Sequence, residues 1–234
     1  MKKYFFVISL LLIFSAQAFS ASKGEDEDKR IFIRNWGYTV LLDFCQNPVH
    51  RYTFDSGYGL DTAYYQDFGF ALASVQFGFR CNLHKFSDDN ALCLSATPSF
   101  AFGPWNADAE GFGMLNMPIL LSYDVGAGST YATVKDKGAF IGVGVELYKT
   151  PIIFLDRAFL SNGERKPSLW MEPVFSAGFR RWKSTVFSQT EHLREVGVKF
   201  GMGGRRPYSE NGGLPEKETR SWSFRLYFST FINY

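Results

Sequence analysis

The stretch AFIGVGVELY at residues 139–148 decides the fold, because apolar side chains alternate in it with small or polar ones. One parity is apolar and consists of Ile141, Val143, Val145 and Leu147. The other parity is small or polar and consists of Gly142, Gly144, Glu146 and Tyr148. Successive side chains of a β-strand point to opposite faces of the sheet. The stretch therefore predicts a strand with one apolar face and one small or polar face.

The same alternation recurs along the chain, at Trp36–Cys45, Phe68–Leu83, Ala91–Phe102, Phe112–Asp124, Leu169–Trp182, Leu193–Met202 and Trp222–Asn233. The composition also favours strands, since 18% of the residues are aromatic and 22 are glycine. We predict an all-β fold, a single antiparallel up-and-down transmembrane β-barrel with eight strands. The apolar parity changes sides near Ala73–Ser74, which predicts a bulge there. Further bulges are expected where prolines fall inside strands, at Pro98, Pro118 and Pro173.

The first 33 residues are expected to lie outside the barrel. Lys2 and Lys3 precede an apolar core, Tyr4–Phe14, and a small-residue cleavage box, Ala16–Ala18, in the order of a secretory signal peptide. The core is shorter than the roughly 20 residues that a membrane-spanning helix needs. We predict a cleaved signal peptide at 1–18, with cleavage as late as 21, a polar, acidic periplasmic lead-in at 19–33 and the barrel at 34–234.

The polar parity carries charges of both signs, and their side of the sheet distinguishes two kinds of barrel. A soluble sandwich or lipocalin would place them outside, around an apolar interior. Glycines such as Gly142 and Gly197 share the polar parity, and a narrow interior needs small residues beside long charged ones. We therefore predict that the charges form a network in the lumen, consisting of Asp43, Arg80, Glu146, Glu172, Arg180, Glu195, Lys199 and Arg225. Asp124 has the same parity.

The lengths of the connections agree with a barrel in the bacterial outer membrane. The predicted outer loops are Gln46–Asp67, Gly103–Gly111, Lys149–Ser168 and Gly203–Ser221. The predicted inner turns are His84–Asn90, Val125–Gly138 and Lys183–His192. Three of the four outer loops are longer than every inner turn, as is expected for such barrels.

Three stretches resemble the bacterial outer-membrane barrel families, namely Met114–Leu121, Gly138–Glu146 and Phe228–Tyr234. The resemblance is to the eight-stranded OmpA/OmpX-like barrels and to the broader "outer membrane protein beta-barrel domain" group. The resemblance implies that the chain is a porin-like protein of the cell envelope and that it contacts outer-membrane lipid. The last stretch is similar to the family's assembly signal, in which Phe228, Ile232 and the final Tyr234 would be read by the outer-membrane assembly machinery. It lacks the glycine usual in that signal.

Few residues suggest catalysis. Some barrels of this size are lipid A acyl-transfer or deacylation enzymes, which makes His50, in the first predicted outer loop, a weak catalytic candidate. A single histidine without a positioned nucleophile is more often an exposed loop residue. His84 and His192 fall in predicted inner turns. We therefore expect a non-enzymatic protein.

The spacing of the cysteines and the net charge limit the classes of ligand that we expect. Cys45, Cys81 and Cys93 have no metal-binding spacing, so we expect no metal and no cofactor. Cys81 and Cys93 flank one predicted hairpin, where a cross-strand disulfide and free thiols both remain open. Without the leader's two lysines the net charge of +2 becomes zero, which argues against nucleic acid.

The sequence thus predicts a plugged outer-membrane barrel with a structural role or an extracellular ligand at its loops. Two alternatives are a lipid A-modifying barrel enzyme and a soluble periplasmic barrel that binds an apolar ligand.

Overall fold

The protein was examined as a computed structural model, which describes residues 32–47, 50–55, 60–65, 68–105, 111–130, 132–150, 152–154, 168–185, 188–203, 206–208 and 217–233. Fourteen strands lie within these residues. They are β1 (Phe32–Gln46), β2 (His50–Asp55), β3 (Leu60–Tyr65), β4 (Phe68–Ser87), β5 (Asn90–Ala96), β6 (Ser99–Trp105), β7 (Gly111–Gly126), β8 (Lys137–Thr150), β9 (Ile153–Phe154), β10 (Ser168–Thr185), β11 (Ser188–Met202), β12 (Arg206–Tyr208), β13 (Lys217–Thr219) and β14 (Trp222–Asn233). The described part of the chain contains no helix that is long and apolar enough to cross a membrane.

The long strands form a closed ring. The order of pairing is β1, β14, β11, β10, β8, β7, β5 and β4, and β4 pairs back with β1. β5 and β6 share one position, since both lie between β4 and β7. Every pair is antiparallel. The ring of eight strands confirms the predicted all-β up-and-down barrel.

The two ends of the barrel differ. One end, here called the turn end, carries the short connection Asp88–Asp89 and the segment 127–136. The opposite loop end carries the hairpins β2–β3 and β12–β13, and β9, which pairs with β7. Several strands run further than expected at the turn end, so two predicted turn residues are misplaced: His84 lies in β4 and His192 in β11. Pairing there continues past the apolar alternation, because backbone hydrogen bonds do not depend on side-chain polarity.

The predicted bulge is present in β4. Leu72 and Ala73 are both exposed, and β4 has one residue more than β6 between the pairs Gly69–Trp105 and Ala73–Phe102. The register with β1 shifts at the same point, between the pairs Val40–Ala73 and Asp43–Ala71, where the extra residue is on β1. The change of parity along β4 is thereby confirmed to within one residue.

The bulges expected at the prolines are absent, and those predictions are wrong. Pro98 separates β5 from β6, but the pairs Ala96–Ile119 and Ser99–Asn116 keep one register across it. Pro98 lies in the interruption between β5 and β6, and Pro118 lies beside that interruption in β7. Backbone pairing continues there, because the Thr97 N–H donates to the Pro118 carbonyl oxygen at 3.1 Å. Pro173 pairs with Val145 without a shift, and β10–β11 pairing begins only at Val174. The missing N–H groups therefore do not shift the register of the strands around these prolines.

The side chains are distributed inside out relative to a soluble protein. Large apolar side chains lie on the exposed face, as shown by Ile141 at 52% exposure, Val143 at 57% and Phe77 at 55%. The buried face lines the lumen and includes the fully buried carboxylates of Asp43, Glu146 and Glu172. Apolar residues also contribute to the lumen, among them Phe140 and Trp170, which have the same parity as the charged residues of their strands.

Candidate functional site in the barrel interior

The first of two charge clusters lies toward the loop end and joins five strands. Asp43 on β1 pairs directly with Arg225 on β14, and Lys199 on β11 pairs with Arg225 from the other side. The Arg225 Nε donates to Asp43 Oδ2 at 2.9 Å. Across the lumen, Glu146 Oε1 on β8 lies 3.3 Å from Arg225 Nη1 and 3.5 Å from Lys199 Nζ. We call these four residues, with Glu172, the upper cluster.

Glu172 is the member of the upper cluster that has no cation among the described residues. It is fully buried on β10 and accepts a hydrogen bond from the Ser223 hydroxyl. Gly201 makes room for it, because a Cβ atom at that position would overlap Glu172 Oε1. The upper cluster therefore contains three carboxylates and two cations.

The second, lower cluster lies toward the turn end and consists of Arg80, Asp124, Arg180, Glu195 and Tyr227. Arg180 bridges two carboxylates, with its Nη1 2.6 Å from Asp124 Oδ2 and its Nε 2.6 Å from Glu195 Oε2. Arg80 also pairs with Asp124. The Tyr227 hydroxyl donates to Glu195 Oε1 at 2.8 Å. The two cations and two carboxylates balance, as burial of charge requires.

An aromatic residue supports the lower cluster from the side. The guanidinium carbon of Arg180 lies 4.3 Å from the centroid of the Phe140 ring. Such a cation–π contact orients the plane of the guanidinium, while the N–H groups at its edge pair with the carboxylates. Phe140 thus helps to hold the Arg180 guanidinium in position.

A small cavity separates the clusters. Its volume is about 80 Å³, and residues of both clusters line it together with neutral polar side chains such as Thr39, Gln76 and Ser122. A cavity of this size that is partly lined by polar side chains has room for a few water molecules. Within the described residues it is too small for a drug-sized ligand, which needs on the order of 300 Å³.

The turn end of the lumen is closed by the segment Ala127–Thr130, here called the cap. All four residues of the cap are buried, and Ala127 packs against Leu193 and Phe231. Arg80 holds the cap from within, since it donates to the Gly128 carbonyl oxygen and, at 3.2 Å, to that of Ser129.

Two glycines permit the tight path of the cap. Gly126 and Gly128 have φ angles of 71° and 69°, in the left-handed region that favours glycine. A Cβ atom at Gly126 would also overlap the Lys137 carbonyl oxygen. Sequence analysis placed this segment in an inner turn and missed the cap. The closely spaced Gly126, Ala127 and Gly128 were the available signal.

The cap is also tied to the neighbouring turn. The Gly126 N–H donates to the Asp89 carbonyl oxygen at 2.7 Å. The Asp89 carboxylate accepts the Thr133 hydroxyl at 2.7 Å and lies 2.9 Å from Lys135 Nζ. Hydrogen bonds from Lys135 and Thr133 lower the pKa of Asp89 below its ordinary value.

The remaining predicted site residues lie elsewhere. His50 is in β2 opposite Tyr65, in the separate β2–β3 hairpin, and its side chain is outside the described residues, as is Tyr234. Phe228 is exposed on β14, and Ile232 pairs with Trp36. The predicted lumen residues, by contrast, all line the barrel interior within the two clusters.

The cysteines are free. Cys93 pairs with Asn82, whereas Cys81 pairs with Leu94, so the two thiols lie on opposite faces of the sheet and cannot form the disulfide left open by the sequence. Among the described residues no group of three or more His, Cys, Asp or Glu side chains is placed to hold a metal ion.

No protein-family model and no curated protein sequence matches the chain. Among solved structures it is similar to the outer membrane protein OprG from Pseudomonas aeruginosa, with 14% identity over 89% of this chain and 100% of that chain, and a TM-score of 0.40. It is also similar to Ail, the attachment invasion locus protein of Yersinia pestis, with 8% identity over 85% of this chain and 99% of that chain, and a TM-score of 0.18. Likenesses this distant carry no argument, so the fold rests on the closed strand ring itself.

Proposed function

We propose that the chain is an integral protein of the bacterial outer membrane, a barrel with a plugged polar interior and a structural or loop-mediated binding role. The observation that carries this proposal is the inverted distribution of side chains. Large apolar residues are exposed around the ring, whereas Asp43, Glu146 and Glu172 are fully buried in the lumen. Only surroundings that are themselves apolar make that distribution favourable.

The exposed apolar face argues against the soluble alternative. Adjacent strands contribute neighbouring exposed residues, such as Val143 on β8, Phe175 on β10 and Phe200 on β11. Soluble monomers rarely expose contiguous apolar patches larger than a few hundred Å². A soluble barrel for apolar ligands would also need an apolar lumen, but charged clusters occupy this one.

The plugged interior is supported by three features that follow one another along the lumen. The upper cluster crosses the barrel between β1, β8, β11 and β14, the lower cluster crosses it between β4, β7, β10 and β11, and the cap covers the turn end. Residues of both clusters line a cavity of about 80 Å³. Eight-stranded barrels are narrow enough for side chains to fill.

The orientation is part of the same proposal. Outer-membrane barrels have short periplasmic turns and long external loops. We therefore assign the turn end to the periplasm, and the hairpins β2–β3 and β12–β13 to the outside, where an extracellular ligand would bind. Entry into the membrane would proceed through recognition of Phe228, Ile232 and Tyr234 by the assembly machinery.

The test is insertion into lipid vesicles, followed by electrophoresis with and without boiling. A closed barrel resists detergent at room temperature, so the unboiled protein is expected to migrate faster. Val143→Arg should reduce the inserted fraction strongly, since a basic residue on the lipid face near the midplane costs about 2–4 kcal/mol. Val143→Leu is the matched control and should insert normally. Equal insertion of all three proteins would contradict the assignment of the faces.

A non-enzymatic role is tested separately. Cells with and without the gene should contain the same lipid A species by mass spectrometry. A mass difference that disappears on replacement of His50 by alanine would instead establish the lipid A-modifying alternative.

A further inference from the structure

Three basic side chains lie next to one another on the outside of the barrel near the turn end. Lys137 on β8 is directly opposite Arg181 on β10, and Arg181 is directly opposite Arg194 on β11. We call these three residues the cationic row. We propose that the cationic row binds the phosphate headgroups of the phospholipid leaflet that surrounds the periplasmic end of the barrel.

The side chains of the cationic row face away from the lumen. Lys137 and Arg181 are exposed, and Arg194 is partly exposed. Their neighbours along each strand, Arg180 and Glu195, point inward and bind one another in the lower cluster. The inner charges are therefore on the other side of the sheet and cannot neutralise the row.

The arrangement is unfavourable without an anion. Directly opposed residues have Cβ atoms about 5 Å apart, and like charges at that distance destabilise a sheet. Within the described residues, none of the three forms an ion pair with a carboxylate, and the Nε of Arg194 has no hydrogen-bond partner. The next step toward the turn end adds another cation, since Lys183 pairs with His192. An external anion would convert this repulsion into binding.

The position of the row identifies the anion. The preceding outward positions on the same strands are Ala139, Phe179 and Val196, which pair with one another, and Phe179 is 74% exposed. In the proposed membrane orientation, on which this inference rests, those residues contact acyl chains. The cationic row then lies at the boundary where phosphodiester groups begin. Arginine matches phosphate well because its planar guanidinium can donate two parallel hydrogen bonds.

The experiment compares two double variants with the same loss of charge at the same end of the barrel. Arg181→Gln/Arg194→Gln removes two members of the row. Lys85→Gln/Lys135→Gln is the matched control, because those lysines already pair with Asp88 and Asp89 at 3.4 and 2.9 Å. The full chain is folded in a maltoside detergent, which contains no phosphate. Dimyristoyl phosphatidylglycerol is then titrated, and retained lipid is measured by native mass spectrometry.

We expect wild type and the control variant to bind phosphatidylglycerol with similar affinity. The row variant should bind about thirtyfold more weakly, and Arg181→Gln or Arg194→Gln alone about fivefold more weakly, from the usual contribution of a basic residue beside anionic lipid. Diacylglycerol with the same chains lacks phosphate and should show no difference among the proteins.

Several results would overturn the inference. These are equal affinities of row variant and wild type, displacement of the lipid by millimolar inorganic phosphate, and tighter retention of lipopolysaccharide than of phosphatidylglycerol. The electrophoretic shift of each unboiled protein is recorded in parallel. With that shift intact, such results overturn the headgroup site alone. Loss of the shift in wild type overturns the proposed membrane barrel as well.

Discussion

Single residues in the lumen are held by specific partners, and the pair Asp43–Arg225 is the tightest link of the upper cluster. Both side chains are buried, and Arg225 donates to Asp43 through two nitrogens. Asp43 has no other cation within the described hydrogen bonds and ion pairs, whereas Glu146 also has Lys199. Removal of Arg225 would therefore leave one buried carboxylate without compensation, and that costs far more than the pair itself contributes.

Arg225→Ala is expected to lower the free energy of unfolding by about 3–5 kcal/mol. Urea unfolding in lipid vesicles, followed by tryptophan fluorescence, measures this change. The double variant Asp43→Asn/Arg225→Met removes both charges and should recover most of the loss. Lys85→Ala, an exposed basic residue at the turn end, serves as the control and should cost about 0.5 kcal/mol or less. A loss for Arg225→Ala as small as that of the control would show that the upper cluster is not a coupled unit.

Among the structural elements, the cap depends on two turns that bind each other. The Asp89 carboxylate accepts bonds from Thr133 and Lys135, and the Asp89 carbonyl accepts the Gly126 N–H. Those side-chain bonds lower the pKa of Asp89, so the folded state favours the carboxylate. The resulting stabilisation is present above the ordinary pKa of 3.8 and is lost as the pH falls through the lowered value.

Hydrogen exchange at the Gly126 amide should report this loss. Protection at Gly126, corrected for the intrinsic rate, is expected to be constant from pH 7 to about 5 and to decrease below about 4. In Asp89→Asn the acid-dependent decrease at Gly126 should be absent, while amides in the middle of β8 keep wild-type behaviour. An identical acid response in both proteins would assign the effect to other carboxylates, and the turns would then not be coupled through Asp89.

For the whole molecule, the charged clusters and the cap predict a barrel without an open pore. Purified protein in planar bilayers is expected to show no large, stable single-channel conductance. The cavity between the two clusters has a volume of about 80 Å³, and the interior of an eight-stranded barrel is narrow enough for side chains to fill. Stable conductance from wild type would contradict the plugged interior and would indicate a wider barrel or an oligomeric channel. The measurement uses only protein that migrates faster unboiled than boiled. Unfolded protein, which also gives no conductance, is then not mistaken for a closed barrel.

How far the sequence predicts the structure differs between the strands of the barrel wall and the side chains inside the barrel. The alternation in Trp222–Asn233 predicted the limits of β14 in full, and the parity change in β4 predicted its bulge. At the prolines the same reasoning failed, because the consequence of a missing N–H depends on which neighbour faces it. Pro98 and Pro118 lie at the same interruption of strand pairing because of the register in which β5 and β6 meet β7.

The sequence by itself determined the approximate positions of the eight barrel strands and the alternation of their two faces, because a period of two is a local property of the chain. Only the tertiary structure decided which charges meet. Arg225 reaches Asp43 across 182 positions of sequence because closure of the ring places β14 beside β1. The cap is likewise a tertiary feature, since Arg80 and Leu193 lie on separate strands and act on one turn. Partners so far apart in the chain leave no periodic signal in it.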